Sequence, residues 1–178
     1  MIGSTGQSDR LLDSPETCRR MARRLGGSFH PLPAPLVVQN QATAAALVAD
    51  NQLATTLELA ARADLALLGV GAVRKGHSGL ILREHEDAAI AEDLRRTGAV
   101  AHVCGHHLSA DGQHVRTGLC ERTIAVLPER LREIPLTIGV AWGERKVAAL
   151  AAAVRGGFIS ALVTDLATAA SLLGYGDR

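Results

Sequence analysis

Short apolar runs alternate with helix-periodic segments along most of the chain. The clearest unit is an apolar run at residues 136–141, a turn at Gly143 and an amphipathic segment at residues 144–155. A second apolar run at residues 158–164 follows, and Asp165 stands where it would cap a last helix. Strands that alternate with helices of this length indicate a parallel sheet with helices on both faces. The pattern therefore predicts one α/β domain.

The same reasoning predicts elements upstream of this unit. Ser14 and Pro15 have the residue types of a helix start, and a glycine pair at residues 26–27 would end that helix. An Asp-Gly pair at residues 111–112 favours a β-hairpin turn within residues 107–115. Further helices are predicted at 41–49, 52–62, 84–96 and 128–131, and further strands at 28–32, 64–68, 99–103 and 123–127.

Composition narrows the class of protein. The 178 residues are 47% hydrophobic but only 2% aromatic, so Ala, Leu, Val and Ile must build the core. A net charge of +1 excludes an overall basic surface for nucleic acid. Three widely spaced cysteines fit a reducing compartment, and neither a signal peptide nor a span of about 20 apolar residues is evident. We expect a cytoplasmic protein with no membrane partner.

Candidate binding residues follow from the fold class. Ligands of open parallel sheets bind beyond the carboxyl ends of the strands, beside helix N-termini. Gly69 and Gly71 end one predicted strand, Gly143 and Lys146 follow a second, and Asp165 follows a third. The two glycines either admit a ligand to the backbone or simply turn the chain. Asp165 is most simply a helix cap.

Lys146 is the most informative of these residues. It is one of only two lysines among 19 basic residues, and it falls in the first turn of a predicted helix. A cation there is unfavourable because the helix dipole already makes that end positive, and a bound anion such as phosphate would offset the cost. The alternative is a solvated surface lysine.

Three other residues are candidate metal ligands. His102, Cys104 and His106 alternate, so on one strand they would share a face, and His and Cys are zinc ligands. No fourth ligand and no catalytic constellation is evident, so we expect no metal, no cofactor and no catalytic residue. The arginines near residue 20 are interpreted as a solvated helix face.

These motifs together resemble a known family. The matching stretches are residues 31–36, 63–71, 98–100 with Gly105, 111–112, Arg122, 134–135, 141–146 and 163–165. In this order they resemble the effector (sugar-binding) domain of the SorC/DeoR-type bacterial transcriptional regulators, over roughly residues 3–173. The resemblance implies a Rossmann-like fold similar to NagB/RpiA/CoA-transferase proteins.

The resemblance also implies a function. Family members are sensors in which a phosphorylated sugar changes oligomerisation and operator binding through an attached helix-turn-helix domain. Lys146 matches the family's ligand-contacting lysine, Gly69 and Gly71 match its glycine loop, and Asp165 matches its Thr-Asp motif. This chain departs from the family in having no helix-turn-helix and in lacking the opening strand with its phosphate loop. His102 replaces a usual acidic residue.

The sequence therefore predicts a single sugar-binding effector domain over residues 1–178, truncated at its N-terminus, with a tail at 174–178. Its predicted partners are a sugar or sugar phosphate, further copies of itself in a dimer or tetramer, and DNA only through the missing domain. The predicted ligand-binding residues are Gly69, Gly71, His102, Gly143, Lys146 and Asp165. The alternatives are a sugar-phosphate isomerase or hydrolase of the same fold, and a dimerisation module without ligand.

Overall fold

A computed structural model of the protein describes residues 2–5, 14–74, 82 and 85–175. The strands are β1 (Ile2–Thr5), β2 (His30–Pro35), β3 (Leu65–Ala72), β4 (Ala99–Val103), β5 (His106–Ser109), β6 (His114–Val115), β7 (Leu136–Val140) and β8 (Ala161–Val163). The α-helices are α1 (Ser14–Arg24), α2 (Gln41–Val48), α3 (Asn51–Ala61), α4 (Ala88–Arg96), α5 (Pro128–Arg132), α6 (Val147–Arg155) and α7 (Leu166–Leu173).

Six strands form the central sheet in the order β6-β5-β4-β3-β7-β8. The strands β3, β7 and β8 pair in parallel and form what we call the parallel half. The strands β4, β5 and β6 continue the sheet from β3 by antiparallel pairing and form the antiparallel half. The α/β class is confirmed, and the predicted parallel arrangement is found in the half built from strand–helix units. The Asp-Gly pair lies in the predicted hairpin, between β5 and β6.

The first strand lies outside this sheet. The strand β1 pairs in parallel with β2 and forms a separate two-stranded ribbon. The helices α2 and α3 pack near β2 around a small apolar cluster that includes Leu32, Ala44 and Leu53.

One face of the central sheet is covered by α6. Three alanines of this helix, Ala149, Ala152 and Ala153, are fully buried, as is Leu150. Small side chains let the helix lie close to the strands, where it contacts β3 and β4. The resulting core also contains Phe158, the largest fully buried side chain. A core built mainly from Ala, Leu, Val and Ile is thus confirmed.

The opposite face of the parallel half is open. Side chains alternate between the faces of a strand, so Leu65 and Leu67 of β3 point away from α6. On the same face, Leu136 of β7 is the register partner of Leu65, and Val163 of β8 aligns through Val140 with Gly69 of β3. The side chains of Leu65, Leu67, Leu136 and Val163 are between 38% and 57% exposed. The parallel half therefore presents an apolar surface to solvent.

One predicted strand is wrong. Residues 123–127 form no strand, and a 3₁₀ turn at Cys120–Arg122 precedes them. Thr123 makes a single bridge to Val37, and the Ile124 N–H donates to the Leu36 carbonyl at 2.8 Å. The apolar residues there are buried by contact with a distant segment, which the local pattern does not distinguish from a strand.

Several predicted boundaries also change, and β2 at His30–Pro35 lies later than the strand predicted at residues 28–32. The strand β3 continues to Ala72, beyond the predicted end at residue 68. The helix predicted from residue 84 begins at Ala88 after the Asp87 cap, and residues 83–84 lie outside the described ranges. The segment predicted as one helix from residue 144 opens with a 3₁₀ turn before α6. Across the described stretches, none of the helices has the length and apolarity needed to cross a membrane.

Candidate ligand-binding site

The predicted residues gather at one end of the parallel half. Gly69 and Gly71 lie in the last part of β3, and Gly143 and Lys146 lie in the connection from β7 to α6. Asp165 follows β8. Parallel strands end at the same edge of a sheet, so the topology brings three separate segments of the chain together.

Gly143 makes the turn that follows β7. Its φ of 98° lies in a region that side chains disfavour, which is why a glycine suits this position. Its N–H donates to the hydroxyl of Thr168 at 2.7 Å. Thr168 is only 1% exposed. The turn is therefore fixed to the start of α7 by a buried hydrogen bond.

Asp165 caps α7, as predicted. One carboxylate oxygen accepts from the Thr168 N–H at 2.8 Å, and the other accepts from the Thr168 hydroxyl at 2.9 Å. These hydrogen bonds, the backbone one first, hold the pKa of the Asp165 carboxyl below its usual value. Asp165 thus orients Thr168, which in turn holds Gly143. The structure shows a positioning role for Asp165, and direct ligand contact stays a prediction.

Lys146 reaches from the 3₁₀ turn back to β3. Its ammonium donates to the Val70 carbonyl at 2.8 Å. Val70 lies one residue beyond Gly69, where the pairing of β3 with β7 ends. The side chain is half-buried, and this burial lowers the pKa of the Lys146 ammonium. The lysine is therefore not a freely solvated surface residue, because it bridges the ends of two strands.

The two glycines of β3 differ in their surroundings. A Cβ placed on Gly69 would have no neighbour within 4 Å, so this position leaves open space above the sheet. A Cβ placed on Gly71 would collide with the imidazole of His102. Both residues lie inside the strand and do not form a turn. Gly71 accommodates a neighbouring ring, and Gly69 leaves the backbone accessible.

His102 occupies the position opposite Gly71 on β4. It is 7% exposed, and its ring lies edge-on to that of His107 with 6.0 Å between centroids. The idea that His102, Cys104 and His106 share one face of a strand is wrong. Cys104 and Gly105 form the tight turn between β4 and β5, and Cys104 has a φ of 50°.

Within the described ranges, no three His, Cys, Asp or Glu side chains form a group that could hold a metal ion. Two concavities in the described part of the chain lie elsewhere. One of about 420 Å³ is lined by Val37, Val38, Gln39, His85, Glu86, Asp87 and Arg122. The second lies beside α2 and α3. The predicted residues therefore sit at an open end of the sheet and line neither concavity.

Sequence reasoning missed Thr168. It is the residue that joins Gly143 to Asp165. A signal for it exists, because a threonine three residues after an N-cap Asp donates its N–H to the cap. The pairing of Thr168 with Gly143 depends on tertiary structure, and no local pattern predicts it.

The comparisons with known proteins agree with this fold. The sequence model of a family described as "Putative sugar-binding domain" matches residues 1–174. The chain is similar to the transcriptional regulator LsrR of Escherichia coli K12, with 37% identity over 148 residues. That match covers 82% of this chain and 47% of LsrR, so the chain spans about half the length of this relative.

Solved structures show the same architecture. A crystal structure titled "Putative Sugar-Binding Domain of Transcriptional Repressor", from Vibrio fischeri, aligns with a TM-score of 0.86 and 28% identity. The alignment covers 99% of this chain and 69% of that one. The sorbitol operon regulator SorC of Klebsiella pneumoniae shares the fold, with a TM-score of 0.86 at 24% identity and coverage of 96% and 55%. The chain therefore belongs to the family of sugar-binding domains of SorC/DeoR-type transcriptional regulators.

Proposed function

We propose that this domain binds a phosphorylated sugar at the carboxyl end of the parallel half and responds by changing its subunit arrangement, without converting the ligand. Membership of a sugar-binding family supports a carbohydrate ligand. The relatives are transcriptional regulators, which supports a sensing role. The structure of the site and of the open apolar face supports the phosphate group and the change of subunit arrangement.

The geometry of Lys146 carries the phosphate assignment. An ammonium has three donors, and the Val70 carbonyl occupies one of them. Among the described residues, no carboxylate forms an ion pair with Lys146. A phosphate beside the ammonium would favour its charged form and offset the effect of burial. The remaining donors of Lys146 would therefore hold the phosphate.

Backbone N–H groups add to this anion site. Gly143 is unsuitable because its N–H already binds Thr168. In the part of the chain that the structure describes, the N–H groups of Glu144 and Arg145 have no protein acceptor. They precede α6, whose dipole favours negative charge at this end. The phosphate would thus sit between these two N–H groups and the Lys146 ammonium.

The sugar would lie towards β3 and β4. The open space at Gly69 would let it approach the backbone. His102, held against Gly71, would present its imidazole to a hydroxyl, with either a donor or an acceptor nitrogen. Trp142, the one tryptophan of the chain, is 67% exposed beside Gly143 and would form the rim.

The response would be a population shift between subunit arrangements. A ligand shifts such an equilibrium when it binds one arrangement more tightly than the other. The open apolar face at Leu65, Leu67, Leu136 and Val163 would be covered by a second copy in a dimer or tetramer. A helix-turn-helix domain joined to such a sensor would transmit this change to DNA.

Titration of Trp142 fluorescence tests the proposal. Aldose, ketose and polyol phosphates are compared with the corresponding free sugars, and light scattering measures the molar mass in each case. We expect one or more phosphorylated compounds to change the emission and the molar mass, and to raise the melting temperature. The free counterparts should bind at least tenfold more weakly.

A matched pair of variants assigns the phosphate contact. Lys146→Met keeps the length of the side chain and removes its charge, whereas Arg145→Gln removes a neighbouring charge and leaves Lys146 in place. We expect Lys146→Met to abolish the preference for the phosphorylated compound and Arg145→Gln to retain it. Equal loss in both variants would contradict the assignment. Binding of no compound would favour the dimerisation module, and turnover of a phosphosugar observed by NMR would favour the enzyme.

A further inference from the structure

A second chemical cluster lies in the antiparallel half, away from Lys146. It consists of Cys120 and the side chains around it, His106, His107, His114 and Thr117, and we call it the Cys120 cluster. His114 Nε2 lies 3.6 Å from the Cys120 sulfur. The N–H and the hydroxyl of Thr117 lie 3.5 Å and 3.6 Å from the same sulfur. Three of the seven histidines of the chain thus surround one thiol.

The β-hairpin and the turn after it build this cluster. The strand β5 supplies His106 and His107, and its partner β6 supplies His114. A turn closed by a hydrogen bond of 3.0 Å from the Cys120 N–H to the Thr117 carbonyl returns the cysteine to the hairpin. The rings of His106 and His114 pack edge-on with centroids 5.4 Å apart, so the hairpin holds the imidazoles in place.

Two further contacts fix the side chains of the Cys120 cluster. The Thr117 hydroxyl lies 3.2 Å from His107 Nδ1, so it links that imidazole to the sulfur. The thiol, when protonated, donates to the Val115 carbonyl at 3.6 Å. His106 is 4% exposed, and its Nδ1 is buried without a hydrogen-bond partner among the described residues. A buried nitrogen without a partner at this place leaves hydrogen-bonding capacity for an added group.

The surroundings favour the thiolate. Burial by itself would raise the pKa of the Cys120 thiol, but the neighbouring imidazoles of His106, His107 and His114 and the hydrogen bond from the Thr117 N–H lower it to about 3. Cys120 is nevertheless partly exposed. A thiolate beside imidazoles with access to solvent is the setting of reactive cysteines.

The other two cysteines provide an internal contrast. Burial raises the pKa of the Cys104 thiol to about 11, and burial likewise raises the pKa of the Cys18 thiol. Both are therefore thiols at neutral pH, so reactivity is concentrated at one of the three positions.

We propose that Cys120 is a thiol-modification site that exchanges with small-molecule disulfides. The Cys120 thiolate attacks one sulfur of the disulfide and forms a new S–S bond, and the original S–S bond breaks to release the other half as a thiolate. The product is a mixed disulfide on Cys120, and a dithiol reverses it by the same exchange. No net oxidant is needed beyond the disulfide itself.

Alkylation of the unmodified protein across a range of pH tests the thiolate. The protein is treated briefly with iodoacetamide between pH 5.5 and pH 7.5, and peptide mass spectrometry measures each cysteine separately. An ordinary thiol reacts about a hundredfold faster at the upper pH, because the thiolate fraction rises about tenfold per pH unit below the pKa. We expect the rate at Cys120 to change less than about threefold, and those at Cys18 and Cys104 to stay low and to rise steeply with pH.

Exchange is then measured with glutathione disulfide at pH 6. We expect one glutathionyl group per chain, at Cys120, and its removal by dithiothreitol. A His114→Gln variant should lower the rate of Cys120 labelling at pH 5.5, whereas labelling in urea should be equal at all three cysteines. The proposal is overturned if Cys120 shows the pH dependence of Cys18, if it resists labelling in the folded protein, or if no mixed disulfide forms.

Discussion

The two halves of the central sheet differ in which side chains they bury and which they expose to solvent. In the antiparallel half, His106 and His107 are at most 4% exposed, and they lie beside fully buried Leu108. In the parallel half, one face exposes Leu67 and three further large apolar side chains. One continuous sheet therefore contains a closed region, where packing fixes the polar groups, and an open region with surface for a ligand or a second subunit.

Residues of the same type have different roles in the closed and open regions. Gly71 and Gly69 lie two positions apart in β3, yet Gly71 faces the ring of His102 and Gly69 faces open space. Similarly, hydrogen bonding stabilises the Cys120 thiolate in the closed half despite its burial, while the Lys146 ammonium lies half-buried at the open end. Residue type alone does not indicate which role applies.

The largest expected contrast is between two leucines. Leu108→Ala would leave a cavity in the closed half, where the side chain is fully buried, and should lower the free energy of unfolding by about 2–5 kcal/mol. Leu67→Ala alters a side chain that is 50% exposed and should lower it by less than about 1 kcal/mol. Urea denaturation measures both values. Similar losses would mean that the open face is covered in the isolated protein.

The next largest difference in stability is expected between alanine substitutions at the two glycines of β3. Gly71→Ala would force the added methyl group against the His102 ring and should destabilise the protein by about 1–3 kcal/mol. Gly69→Ala meets no neighbour and should leave stability equal or slightly higher. In a double variant, His102→Ala should restore most of the stability lost in Gly71→Ala. A double variant as unstable as the sum of its two single variants would argue against this contact.

Variants of Thr168 test the hydrogen bond that fixes the turn at the open end of the sheet. Thr168→Val removes the acceptor of the Gly143 N–H and should lower the free energy of unfolding by about 1–3 kcal/mol, since a buried donor is left unpaired. Thr168→Ser keeps the hydroxyl and should cost less than about 1 kcal/mol. The pair is compared by thermal and urea unfolding, and a loss in Thr168→Ser at least as large as that in Thr168→Val would contradict the role of the hydroxyl.

The smallest expected effect is a dependence on pH. The folded-state pKa of the Asp165 carboxyl is below its ordinary value of 3.8, so its contribution to stability is present above pH 4. That contribution is lost as the pH falls through the folded-state pKa. We expect wild type to be more stable than Asp165→Asn at pH 6 and the difference to shrink below pH 4, as measured by urea denaturation. A constant difference across this range would contradict the role of the ionised carboxylate.

Local signals were sufficient for part of the structure. The Asp165 cap and the unit from β7 to α6 follow from residues close together in the chain. Two contacts of the candidate site, His102 on Gly71 and Lys146 on the Val70 carbonyl, join distant segments. These two contacts depend on the register and length of the strands, which no local pattern gives. The sequence therefore predicts the residues of the site but not their partners.

The predicted strand at residues 123–127 shows the same limit. Ile124 is fully buried, as an inward strand residue would be. Its N–H, however, binds Leu36, far back in the chain, and no ladder forms. The pattern of apolar residues predicts burial there correctly and predicts the secondary structure wrongly.

A crystal structure with a bound sugar phosphate tests the central claim most directly. We predict a phosphate oxygen at a charge-assisted hydrogen-bond distance of about 2.8 Å from Lys146 Nζ, with the N–H groups of Glu144 and Arg145 also directed at the phosphate. A phosphate bound instead in the concavity beside Arg122, with Lys146 still contacting only the Val70 carbonyl, would contradict the assignment of the site.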